Sequence, residues 1–380
     1  MNARVATLDY DRFDVSPRRG FVPDTDPLTA LGSDSHSTLR RLDELGATLP
    51  ERLDAGTLRE TLFELEVPPT GLFDDLSRAE LLHVYRLAGF LANVAVHSPE
   101  GRVGDTIPAG VAVPLYESTA RLGRTPVLSY DGYVLHNWAR VADDGGFRPD
   151  NLDALTTFVD LPDETWFIAI HVAIETAAGP AIGAIGEAQA AVRADDADGV
   201  HEALVTMTDA IATVDGVLAR MPERNAPENY GHTFRHYLKP LVDVEYAGVD
   251  ELDGPQSFRG ASGAQSSLFP ALDAALGVDH GDNPLVSHLR TLRADMPPEH
   301  KAFIAATADG PSIHEYVAGD ERLVAAYNAC LDRMVDFRDR HTGIVSQYLT
   351  APLGEDTGTG GTPHGRFLDM FTTDTADTRL

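Results

Sequence analysis

The chain has 380 residues, enough for a large buried core and for two domains. Its 59 Asp and Glu against 30 Lys and Arg leave a net charge of -29, a surface that repels nucleic acid and anionic membranes. Cys330 is the only cysteine, which excludes an intrachain disulfide and fits a reducing compartment.

Asp is spread along the whole chain, and Lys239 and Lys301 are the only lysines. That pattern fits a halophile or a GC-rich genome. The N-terminal residues lack an apolar signal core, and the longest strongly apolar run, 166–174, is too short for a membrane span. The expectation is a cytoplasmic protein that binds neither membrane nor nucleic acid.

Residues 1–36, rich in Pro, Asp, Ser and Arg, read as an extended arm with short turns. Leucines at helical spacing then predict helices over 39–49 and 58–65, and a longer one from Leu76 to about Val96. Residues 97–127 are punctuated by Gly and Pro, with a β-like piece at 111–115 and a helix after Val113. Another helix is expected over 128–138. A polar break, DDGGFRP at 143–149, places a domain boundary near 156.

Beyond it, 163–193 reads as a long buried helix, kinked or interrupted around Gly179 and Pro180. Helices are predicted over 198–220 and 228–241. The stretch 255–278 opens as a Gly/Ser-rich loop and becomes a helix that ends at Gly277. Helices over 284–294, 298–307, 311–318 and 320–350 follow, then a Gly/Thr-rich tail at 353–363 and a short closing helix. Strand signals are few and no repeat is evident, so the expected fold class is all-α.

GASGAQSSLFPALDAALGV at 260–278 resembles the signature of the indoleamine 2,3-dioxygenase family. DMPPEHKAFI (295–304), FRDRHTGIVSQYL (337–349) and GTGGTPHGRFL (358–368) resemble further family segments in the family's order. GVAVPLYE (110–117), PVLSYDGYVLHNW (126–138) and FRHYL (234–238) extend the likeness upstream. It covers the chain from about Gly20 to Leu368.

The resemblance implies a smaller, mainly helical N-terminal domain, 1–156, packed on a larger helical haem-binding domain, 157–380. It implies haem b (iron protoporphyrin IX), with O2 and L-tryptophan or a related indole as substrates, N-formylkynurenine as product, and an electron donor that keeps the iron ferrous. Two other readings stay open: a different haem-dependent oxidation of an indole, and a non-catalytic haem-binding sensor.

His341 lies among apolar residues on one helical face and matches the family's axial haem ligand. Arg338, one turn earlier, suits a haem propionate or a buried carboxylate, and Asp273 resembles the acid that pairs with it. His171 stands where the family usually has serine. It resembles the distal histidine of the related tryptophan 2,3-dioxygenases, which accepts the indole N–H; otherwise it is a core histidine bonded to Glu175. Tyr130, Phe167 and Tyr230 are implied as aromatic walls, Tyr230 in place of a phenylalanine. Ser262 and Gly263 match positions beside the haem and the indole. Arg235 matches the clamp for the substrate carboxylate; its bland alternative is a solvated basic face shared with His232, His236 and Lys239. Thr359 resembles the threonine of a mobile loop that meets the substrate ammonium. His232 and His236 also form an i, i+4 pair with metal-ligand spacing, lacking a third ligand.

Overall fold

The computed structural model describes residues 8–282, 284–354 and 364–380. It is all-α, with 63% of its residues in helix and 6% in strand. The first group of helices is α1 (Ser37–Ala47), α2 (Leu49–Asp54), α3 (Leu58–Phe63), α4 (Arg78–Val96) and α5 (Ala109–Leu122). The second begins with α6 (Pro162–Ala177), α7 (Gly179–Ala194), α8 (Ala197–Leu218), α9 (Pro227–His232) and α10 (Leu268–Leu276). It continues with α11 (Pro284–Arg293), α12 (Pro298–Ala308), α13 (Ile313–Val317), α14 (Glu321–Val345), α15 (Ala351–Leu353) and α16 (His364–Asp377).

α4, at the centre of the first group, is buried along most of its length from Leu81 to Val96, whereas α8 in the second group is amphipathic and buries one face. α4 starts at a capping box: Ser77 Oγ accepts from Glu80 N at 3.3 Å, and Glu80 Oε2 accepts from Ser77 N at 2.8 Å. It packs against α5 and α1. In the second group α8 is flanked by α6, α7 and α14, and α14 carries α16 on another side. One continuous apolar core runs through residues on both sides of position 156.

Of the kink or interruption expected near Pro180, the structure has the interruption: α6 ends and α7 begins at Ala178. Pro180 has no N–H for the carbonyl of Thr176, but it fits the first turn of α7, where no N–H is needed. The N-terminal arm crosses this break. A Cβ on Gly179 would stand 2.4 Å from the Arg18 carbonyl carbon, and one on Gly20 would stand 2.2 Å from the Glu175 carbonyl oxygen. Phe13, Val15, Phe21 and Val22 are buried, so the arm is part of the core. The stretch Pro162–Ala194 has the length and apolarity of a membrane span, which the count of strictly apolar residues hid. It is 83% buried over its most apolar window, and that core position accounts for its composition.

Three predicted elements differ. The β-like piece at 111–115 lies inside α5, because Val111 and Val113 are buried on a helix that tolerates Pro114 near its start. The helix over 228–241 is two short ones, α9 and a 3-10 helix Phe234–Leu238, with Thr233 between them at φ -123, ψ -100. The region 128–138 is one π-helical turn, Asp131–Leu135, leading into a strand.

Among the described residues, seven short strands make three small sheets. β1 (His97–Ser98) pairs antiparallel with β2 (Gly101–Arg102). β3 (Thr106–Ile107), β6 (Leu241–Tyr246) and β7 (Gln256–Phe258) form the second sheet, and β4 (Trp138–Arg140) and β5 (Leu152–Ala154) the third.

Candidate active site

A cavity with about 1610 Å³ of empty space, counted with its open mouth, lies among α6, α10, α11, α14, α16 and the loop before α10. It brings together Tyr130, Phe167, His171, Tyr230, Ser262, Gly263, Asp273, Arg338 and His341. These residues span more than 200 positions of sequence, and nine of the expected site residues share this one space.

Asp273 and Arg338 fix the helix that bears His341. Arg338 Nη2 donates to Asp273 Oδ1 at 2.6 Å, and both side chains are more than nine-tenths buried. The guanidinium lies between the rings of Phe269 and Phe371, 5.4 and 5.2 Å from their centroids. Asp273 Oδ2 also meets His280 Nε2 at 3.1 Å, and His280 Nδ1 meets Asp374 Oδ2 at 2.9 Å, which ties in α16. Burial alone would raise the Asp273 carboxyl, but the Arg338 charge and the His280 bond outweigh it and hold it below its ordinary range. His341, one turn beyond Arg338, lies nearly parallel to Phe337, at 10° and 6.2 Å, and Phe337 stacks on Phe269 at 4.4 Å.

This wall fits a haem. It offers one imidazole among Phe269, Phe337, Ile344 and Val345, with two arginines beside it. Nε of Arg293 and Nε of Arg338 are buried nitrogens with no protein partner, a donor set suited to propionates.

His171 Nδ1 lies 2.8 Å from the Phe167 carbonyl oxygen, one turn back on α6. A carbonyl only accepts, so Nδ1 carries the proton and Nε2 holds the free lone pair. Burial pushes the imidazole below its ordinary pKa, which keeps it neutral and Nε2 an acceptor. The ring packs on Phe167 at 4.3 Å, edge-on to Tyr130 at 6.0 Å. Tyr230 stacks on Phe167 at 5.4 Å.

Glu175 does not bond His171. Its Oε1 accepts from Tyr130 Oη at 2.9 Å and from Ser266 Oγ at 2.6 Å. Burial raises this carboxyl to about 7, against the two hydroxyl bonds that lower it. Gln265 completes the tie: its Oε1 accepts from the backbone N of Tyr130 at 3.0 Å and of Ser262 at 3.1 Å. Its Nε2 donates to the Gly260 carbonyl at 3.2 Å and to Asp295 Oδ2 at 3.4 Å. Sequence reasoning missed Glu175, Arg293 and Gln265 as site residues. An acid inside the apolar run WFIAIHVAIE was a signal for the first; Arg293 and Gln265 show none.

Arg235 is not among the residues that line the cavity. It is 2% exposed on the 3-10 helix after α9, which overturns the solvated-face alternative. The break at Thr233 separates His232 from His236, so they are not an i, i+4 pair on one helix, and the described residues contain no cluster of three metal ligands. Thr359 lies outside the described residues.

The sequence model of the family described as indoleamine 2,3-dioxygenase matches residues 9–367. Indoleamine 2,3-dioxygenase 1 of Rattus norvegicus is 31% identical over 348 residues, 84% of this chain and 84% of the relative. Indoleamine 2,3-dioxygenase 2 of Mus musculus is 28% identical over 385 residues, 95% of this chain and 93% of the relative. The 6-hydroxytryptophan 2,3-dioxygenase of Fusarium equiseti is 28% identical over 361 residues, 90% of this chain and 86% of the relative. A match that runs through the arm, both helix groups and the cavity makes this chain a member of the indoleamine 2,3-dioxygenase family, an oxidoreductase of the dioxygenase class.

Proposed function

We propose that the protein is a haem b enzyme that adds both atoms of O2 across the indole C2–C3 bond of L-tryptophan. That bond breaks, two carbonyl groups form, and the product is N-formylkynurenine. The observation that carries this reading is the tautomer of His171: a neutral imidazole, its Nδ1–H spent on Phe167, offers Nε2 as an acceptor in the same cavity as His341.

His341 would hold the iron, and Arg293 and Arg338 would meet the propionates. Haem, when bound, supplies the iron and the redox chemistry of oxygen insertion. His171 Nε2 accepts the indole N–H, which sets the ring's orientation without a net charge in the pocket. Tyr130, Phe167 and Tyr230 give the indole flat surfaces, and Ser262 and Gly263 border the same space. Family likeness, and not the cavity lining, gives the substrate carboxylate to Arg235 and the ammonium to Thr359. An external electron donor keeps the iron ferrous, and the site of action is the cytoplasm.

The test is turnover of L-tryptophan under ¹⁸O2 with haem-loaded protein and a reductant. Two labelled oxygens in one product molecule are expected; a single labelled oxygen would establish mono-oxygenation instead. 6-Hydroxytryptophan belongs in the same assay, since one relative is named for it. His171→Ser should keep haem and lose rate or preference among indoles. Unchanged rate and preference would remove His171 from the substrate site.

A further inference from the structure

A second pocket lies away from the cavity, between the β1–β2 hairpin and the segment 236–242, with about 650 Å³ of empty space counted with its mouth. Its lining includes Arg102, Lys239, His97 and His236, and no Asp or Glu. In a chain of net charge -29 a pocket of that composition is anomalous. Among the described residues neither Arg102 nor Lys239 has a carboxylate within ion-pair distance. Arg102 is held in place by backbone: Nε donates to the Gly104 carbonyl at 2.8 Å, Nη1 to Val242 at 2.6 Å and Nη2 to Asp243 at 2.9 Å. Its charge is thereby positioned without being neutralised. The nearby Glu100 carboxylate is turned to Ser98 Oγ, at 2.8 Å.

His97 is 9% exposed, and its Nε2 is a buried nitrogen without a protein partner. Burial pushes the imidazole down to about 4, against the backbone carbonyls of Pro240 and Lys239, and the charges of Lys239 and Arg102 add to the fall. The one N–H of the neutral imidazole is taken by those carbonyls, so Nε2 is a lone pair able to accept from an anion's O–H.

We propose that this pocket is a binding site for a small oxyanion of the phosphate class, held by Lys239 and Arg102, with His97 Nε2 accepting from its O–H. Two cations match a dianion, and Arg102 is held in place for it by three backbone carbonyls. The acidic surface does not oppose this at working salt, because screening confines each charge's influence to about 8 Å.

Calorimetric titration with inorganic phosphate, at ionic strength held constant with sodium chloride, tests the site. Saturable binding of one phosphate per chain is expected. Lys239→Gln should weaken it by roughly tenfold, the scale of one charge-assisted hydrogen bond. Lys301→Gln, on α12 outside the pocket, should leave it unchanged. Sulfate should compete and acetate should not. No saturable binding, equal binding by the two lysine variants, or acetate as strong as phosphate would each overturn the proposal.

Discussion

Glu175 shows how burial sets the state of a single residue. Its folded pKa stands at about 7, above that of an unfolded glutamate, so the fold favours the neutral acid. A raised carboxyl contributes stability in full below its unfolded pKa, near 4.3, and that contribution is lost as pH rises through the folded value. Glu175→Gln keeps an acceptor for Tyr130 and Ser266 and cannot ionise. Its stability relative to the parent should therefore climb between about pH 4.5 and 7 and level off above. Urea midpoints across that range read it directly. Parallel curves for the two proteins would show that Glu175 is ionised throughout. Glu164, raised by burial to about 8, titrates in both proteins alike and cancels from the difference.

At the level of elements, the loop before α10 is held by close backbone approach. A Cβ on Gly260 would stand 1.9 Å from the Leu238 carbonyl oxygen and 2.7 Å from the Lys239 carbonyl carbon. Backbone cannot rotate away as a side chain does, so Gly260→Ala must displace the loop that Gln265 ties to Tyr130. A loss of about 1–3 kcal/mol is expected, the range for overpacking a core. Gly263→Ala, whose Cβ meets nothing within 4 Å, should stay within about 0.5 kcal/mol. Denaturant midpoints that fall equally for both would show that contact at Gly260 is not what seats the loop. The helices were legible because apolar spacing survives wherever one face is buried: α4, α8, α10 and α14 lie close to where Leu and Gly punctuation put them. The break at Thr233 was not, since it depends on where the following turn finds room. Motif likeness singled out His341, Arg338 and Asp273, which the fold brings to one wall of the cavity. The hub at Gln265 was not, because four bonds to Tyr130, Ser262, Gly260 and Asp295 join positions that no local pattern relates.

The whole molecule is governed by its charge. Acidic residues outnumber basic ones 59 to 30, and folding crowds that surplus onto one surface. Ion pairs such as Arg340–Asp215 and Arg220–Asp150 are partly exposed and each is worth about 0–1 kcal/mol, so they offset little of it. The remaining repulsion favours the expanded chain, where the same charges lie farther apart. Salt shortens its reach from about 30 Å at 0.01 M to about 3 Å at 1 M. Screening weakens the surface pairs as well, but the unpaired surplus outweighs them, so stability must rise with salt. The melting temperature in 1 M sodium chloride should exceed that in 0.01 M by several degrees. Chloride is the right salt because sulfate is excluded from protein surfaces and stabilises almost any fold. Most of the rise should come below about 1 M, where the screening length already falls to atomic contact. A flat or falling melting temperature over that range would show that the carboxylates are placed so that their repulsion costs the fold nothing.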